Sequence, residues 1–175
     1  MKTEIRRVTK ENWREIVQLK VAKGQENFIE SNAESLLEAV FEGEDWVPVG
    51  LYSENQLVGF AMYGCYDSTN RSIWLDRFMI GEANQSHGLG KLFLEKICQY
   101  LPTEYELKQI LLSFYPENQN ARKFYEAYGF ITTTKVDENG EEIYYLDVSH
   151  WKTCWAISVI KSARYKKTLA KYSSV

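Results

Sequence analysis

Three prolines and ten glycines in 175 residues leave little material for linkers or low-complexity arms. Collagen-like and largely disordered classes are thereby excluded. No uncharged apolar run reaches the ~20 residues of a membrane span. The longest, Asn55 to Tyr66, stops well short, so no membrane span is expected. The three cysteines, Cys65, Cys98 and Cys154, are odd in number, far apart and unpatterned. Neither a disulfide framework nor a metal site is expected from them. Residues 1–15 are charged throughout and lack the apolar core of a secretion signal. A reducing, cytoplasmic setting is the expectation.

Charge of one sign is missing from two stretches. From Gly24 to Asn70 there are nine carboxylates and no Lys or Arg. From Ser149 onward there are six basic residues and no acidic one. The first 148 residues therefore hold all 24 acidic side chains and 15 of the 21 basic ones, a net of −9. Such a surface repels nucleic acid, which is not expected as a partner, and draws cations. The plainer alternative is a solvated, solubilising face.

What is present is an ordinary apolar fraction, 45%, arranged as alternating elements of one domain. Thr3 to Val8 alternates as a short strand. Thr9 is placed to cap a helix running to about Ala22, with Trp13, Ile16, Val17 and Val21 on one face. Ser31-Asn-Ala-Glu34 is a capping-box signature for a second helix, apolar at Leu36, Leu37, Val40 and Phe41, closing near Gly43. Trp46 to Tyr52 and Gln56 to Tyr66 read as a hairpin, with Ser72 to Ile80 as the next strand. Lys91 to Leu101 has helical periodicity and is expected to stop before Pro102. Gln109 to Tyr115 is a strand, and Asn118 to Tyr128 is a helix ended by Gly129. The Asn139-Gly140 pair joins two final strands, Phe130 to Val136 and Glu142 to Val148. The order is β-α-α-β-β-β-α-β-α-β-β, a mixed α/β or α+β domain.

The segment 81–91, Gly-Glu-Ala-Asn-Gln-Ser-His-Gly-Leu-Gly-Lys, lies between a strand and a helix. A glycine-containing turn there exposes backbone N–H groups to an anion, and the helix dipole favours negative charge. It matches neither the P-loop nor the dinucleotide-binding glycine pattern. A plain strand–helix connection is the alternative.

The spacing Gln85-x-x-Gly88-x-Gly90 resembles motif A of the GNAT family of N-acetyltransferases. Asn118-x-x-Ala121-x-x-Phe124-Tyr125-x-x-x-Gly129-Phe130 resembles a second signature of that family. The element order is similar as well, and the resemblance covers about residues 3–148. It implies a GNAT-like, mostly antiparallel sheet splayed between its fourth and fifth strands, with flanking helices. It also implies acetyl-CoA as co-substrate and no metal. The pyrophosphate would lie on Ser86, His87, Gly88, Leu89, Gly90 and Lys91, behind Gln85. The pantetheine arm would lie along Phe78, Met79 and Ile80, near Asn118 and Ala121. Tyr125 would be the general acid for the departing thiolate, a role a phenol suits because it stays protonated at pH 7. Simple packing is the other reading of Tyr125, and helix capping the other reading of Asn118. His87 is assigned no catalysis.

Val49 to Gly64 and Trp74 to Ile80 resemble the bacterial spermine/spermidine N-acetyltransferases within the family. That likeness implies Asp76 as the base, directly or through water. Asp76 could instead pair with Arg77 or Arg71. The charge map points the same way as the likeness, because a polyamine needs carboxylates to hold its remaining ammonium groups. Glu26 and Glu30 are the candidate substrate-binding residues, with Glu38 and Glu42 read as solvated. Other readings are a GNAT enzyme for another amine, such as an aminoglycoside or a lysine-like group, or a non-catalytic CoA-binding module. Residues 1–148 form the enzymatic domain in this reading. Residues 149–175 form a basic, Trp-containing tail expected to be helical. The alternatives for that tail are a membrane surface, an acidic partner, the acidic body itself or a second subunit in a homodimer.

Overall fold

A computed structural model describes residues 2–42 and 45–151. Seven strands and four helices follow in the expected order: β1 (Thr3–Arg7), α1 (Trp13–Gln18), α2 (Asn32–Phe41), β2 (Val47–Ser53), β3 (Gln56–Asp67), β4 (Ser72–Ile80), α3 (Leu89–Glu104), β5 (Gln109–Phe114), α4 (Gln119–Tyr128), β6 (Ile131–Val136) and β7 (Glu142–Asp147). They build one sheet in the order β1-β2-β3-β4-β5-β7-β6. Every pairing is antiparallel except β4 with β5.

That parallel pair is short. It joins Ser72, Ile73 and Trp74 to Gln109, Ile110 and Leu111, after which the strands part. The rest of β4, Leu75 to Ile80, forms one wall of a notch opening toward the start of α3.

The period-2 alternation of β3 assigns each sheet face its helices. Phe60 and Met62 join Ile16 of α1 and Met79 in one buried cluster, with Leu36 and Ala39 of α2 packed against it. Ala61 and Tyr63 face the other way, toward Phe93, Leu94, Ile97 and Leu101 of α3. The larger cluster also receives Ala121, Phe124, Tyr125 and Tyr128 from α4. The acetyltransferase-like architecture expected from the motifs is present.

Two local expectations need correction. The first helix spans only Trp13–Gln18, with Asn12 at its N-cap and extended backbone already at Leu19. The segment that follows leads to α2, whose Ser31–Glu34 capping box is formed reciprocally. Buried Asn32 ties α2 back to α1, donating to the Ile16 carbonyl at 2.8 Å. Helix α3 runs through Pro102 to Glu104 instead of stopping before it. Proline removes one amide donor near the end of the helix, while its ring is buried and Tyr105 still donates to Leu101. Cys65 sits half-buried at an irregularity near the end of β3, with φ of 51°.

The apolar stripe of α2 is only partly covered. Leu37, Val40 and Phe41 are 57%, 70% and 78% exposed. The chain beyond Trp151, including Cys154 and the helix expected of the basic tail, lies outside the described residues.

Candidate active site

The turn between β4 and α3 is shaped to receive an anion. Ser86 and Gly88 both have left-handed backbone, with φ of 64° and 76°. Gly88 is the N-cap of the 16-residue α3, and no side chain caps that helix end. The first amides of a long helix are therefore left for a ligand. Gly90 lines the adjoining cleft, and an added Cβ would meet the Phe124 ring at 3.5 Å, an ordinary contact. Gln85 does not face an anion directly. Its amide donates at 2.9 Å to the Ile80 carbonyl and at 2.9 Å to Gln25, holding the turn in place. Ser86 also lines the cleft, whereas His87 and Lys91 are exposed beside it and Leu89 is buried in the core.

A cleft of about 510 Å³ continues from this turn along the notch. Its middle is lined by Phe78, Met79, Ile80, Asn118, Ala121, Phe124 and Tyr125. Asn118 Oδ1 accepts from the Ala121 amide at 3.1 Å, so the capping role is real, and its NH₂ group is left over for the cleft. Tyr125 stacks on Phe114 and meets Phe124 and Phe130 edge-on. Burial among these rings pushes the phenol well above its ordinary pKa. Among the described residues its hydroxyl has no hydrogen-bond partner. Both readings of Tyr125 are thus compatible, since a packed ring can hold a protonated hydroxyl at a cleft wall.

The far end of the cleft is acidic, with Glu30, Asp76 and Glu141 in its lining. Burial, reinforced by Glu38 and Glu30, raises the Asp76 carboxyl to about 6 against the pull of Arg77. Arg77, not Arg71, is its partner, through a guanidinium–carboxylate contact. The same guanidinium reaches Glu30 at 2.9 Å and Glu38 at 3.1 Å. Glu38 was expected in solvent; it is instead half-buried on α2, with burial raising its pKa. Glu26 is not brought into the cleft. Its carboxylate turns back to the Gly24 amide in the loop it belongs to.

Three contributors carry no sequence signal. Glu141 enters from the β6–β7 hairpin and accepts from Ser113 Oγ at 2.6 Å, with burial raising its pKa. Hydrophobic Phe28 and Ile29, on the segment before α2, close the cleft from above β4. The Asn-Gly turn announced that hairpin, but nothing in its sequence announced that its tip reaches β5.

The arrangement can hold a long ligand with an anionic end at α3 and an amine at the carboxylates. The family model described as acetyltransferase (GNAT) family matches residues 9–130. A spermine/spermidine N(1)-acetyltransferase of Bacillus subtilis (strain 168) is 40% identical over 148 residues, covering 82% of this chain and 97% of that relative. Among solved structures, the spermidine N-acetyltransferase of Vibrio cholerae in complex with CoA and spermine superposes with a TM-score of 0.67 at 18% identity, covering 84% of this chain and 96% of that one. The PaiA N-acetyltransferase of Thermoplasma acidophilum in complex with coenzyme A gives 0.62 at 14% identity, covering 84% and 99%.

Proposed function

Because this chain belongs to the acetyltransferase (GNAT) family, we propose that it transfers acetyl from acetyl-CoA to a primary amine of spermine or spermidine. One observation carries the reading. A single cleft runs from an uncapped helix N-terminus, past a half-buried phenol, to a group of carboxylates. The uncapped amides of α3 and the space at Gly90 suit the co-substrate's phosphates, and the notch along Phe78, Met79 and Ile80 suits its arm. Bound there, acetyl-CoA supplies the acyl thioester. The residues of the chain supply the rest.

An alkyl ammonium has a pKa near ~10.4, so only about one amine in a few thousand is neutral at pH 7. Asp76, ionised above about 6, takes the proton from the attacking nitrogen, directly or through one water. The new bond joins that nitrogen to the acetyl carbon, and the carbon–sulfur bond breaks. Tyr125 gives its proton to the leaving sulfur. Glu30 and Glu141 neutralise ammonium groups that do not react.

The relatives' named substrates, polyamines, support the acceptor class. The exposed stripe Leu37, Val40 and Phe41 on α2 supports pairing of two copies into a homodimer. Among the described residues no helix is long and apolar enough to cross a membrane. A cytoplasmic site of action belongs to the same reading. The deciding experiment is a thiol-release assay over spermine, spermidine, a diamine, a monoamine, lysine and an aminoglycoside. Highest kcat/KM with the polyamines supports the proposal. Tight acetyl-CoA binding without turnover on any amine would leave a binding module in its place.

A further inference from the structure

The acidic end of the cleft already contains a cation. Arg77 points from β4 into three carboxylates that come from three different segments: Glu30 before α2, Glu38 on α2 and Asp76 beside it on β4. Its side chain is only 14% exposed. One guanidinium among three carboxylates leaves the group under-neutralised by two charges. Glu34 in the first turn of α2 and Glu42 at its C-cap add to the negative field at Glu38.

The three pairings are unequal. Towards Glu38 the Nη2 group makes hydrogen bonds, and towards Asp76 the Nη1 group does. Towards Glu30 the Nε lies at 2.9 Å, yet its N–H is not aimed at the carboxylate and is buried without a hydrogen bond. A buried donor beside a misaligned acceptor is an arrangement that a better donor can displace. Glu30 is also the most exposed of the three, at 43%, and sits on the segment that closes the cleft.

Resting on the polyamine reading above, we infer that Arg77 is a resident counter-cation of the acceptor site, standing where a substrate ammonium binds and displaced from Glu30 and Glu38 when it arrives. The exchange makes the site selective for acceptors with at least two amines. The reacting nitrogen must lose its proton, so a monoamine brings no lasting charge with which to replace the guanidinium. A diamine or polyamine keeps an ammonium after its nucleophile is neutral, and only that charge can compensate Glu30 and Glu38. Arg77 therefore acts as a specificity-determining residue through competition, and not as a group that touches the reacting atoms.

Calorimetric titration of the CoA-saturated protein tests this, using spermine and butylamine against wild type, Arg77→Gln and Arg77→Lys. Removing the competitor should tighten spermine binding about tenfold or more, with butylamine, which brings one ammonium where spermine brings several, tightened less. Adding Glu30→Gln to Arg77→Gln should return most of that gain. Lysine keeps one charge but cannot span two carboxylates, so Arg77→Lys should lie between wild type and Arg77→Gln, and it serves as the working variant if Arg77→Gln does not fold. Unchanged or weaker spermine binding in a folded Arg77→Gln or Arg77→Lys protein overturns the inference and makes Arg77 a clamp for α2. Absence of spermine binding to wild type would instead overturn the polyamine reading, and this inference with it.

Discussion

Gln85 and Gln25 meet at 2.9 Å across the mouth of the cleft, and the same Gln85 amide holds the carbonyl of Ile80. One side chain thus joins three pieces: the turn that starts α3, the last residue of β4 and the segment leading to Glu30. Gln85→Ala should therefore raise KM for acetyl-CoA and for the amine together. Gln25→Ala, which spares the Ile80 contact, should raise the amine KM alone. Steady-state kinetics with each substrate varied in turn checks the pair.

Asp76 sets a second expectation, through its raised carboxyl. As a base it must be ionised, so kcat/KM for spermine should fall as pH drops through about 6. Asp76→Asn should lower kcat strongly and abolish that acidic limb. Stability should respond with the opposite sign. A folded-state pKa above the unfolded value of 3.8 means the native protein binds more protons between about 4 and 6. The carboxylate's unfavourable contribution is therefore fully present at neutral pH and relieved at low pH. Asp76→Asn should melt higher than wild type at pH 7.5, with the advantage vanishing near pH 4.

Tyr125→Phe keeps the ring contacts to Phe114, Phe124 and Phe130 and removes only the hydroxyl. General-acid catalysis is worth ~10²–10⁴-fold, so kcat should drop by that factor with acetyl-CoA affinity nearly intact. Wild-type turnover in this variant would leave Tyr125 a packing residue.

Gly90→Ala is accommodated by the protein itself, because the new Cβ makes ordinary contact with Phe124. Any loss of acetyl-CoA affinity then reports the closeness of the ligand. Weaker acetyl-CoA binding with an unchanged Tm is the expected result, and Gly90→Val should weaken it further. Calorimetry and thermal melts on the same samples distinguish this from misfolding.

Glu30 and Glu26, the two glutamates that the sequence offers as substrate ligands, should behave differently. Glu30→Gln should raise the spermine KM by about 10- to 150-fold, the worth of one charge-assisted hydrogen bond. Glu26→Gln should change little, since Glu26 serves its own loop. The wild-type spermine KM should also rise with salt, because exposed pairing is screened over ~10 Å at 0.1 M.

That difference marks the boundary of what the sequence makes legible. Signals confined to a few residues survive into the structure: the Ser31–Glu34 capping box, Asn118 at its N-cap, the Gly129 terminator and the hairpin at Asn139-Gly140. Motif residues at the strand–helix turn and on α4 also converge on one cleft. The pairings that decide charge at the acceptor end do not have local signals. Glu38 and Arg77 are 39 residues apart, and Ser113 and Glu141 are 28 apart. A four-residue spacing of glutamates says which carboxylates are near one another, not which way the connecting loop turns them. Proline likewise announces a lost donor, but not the burial that keeps α3 running past Pro102.

The short seam between β4 and β5 has a further meaning. Beyond Trp74 and Leu111 the two strands no longer share hydrogen bonds, so the sheet carries an unzipped edge in its interior. Backbone groups along the upper half of β4 on that side are open to whatever fills the notch. A ligand with amides of its own can act there as a missing strand, by the same logic that lets extended peptides add to a sheet edge. The co-substrate would then be a structural component as well as a reactant. Hydrogen exchange would register this directly: amides between Leu75 and Ile80 that face the notch should exchange quickly in the free protein and slow on loading, while those paired with β3 stay protected throughout.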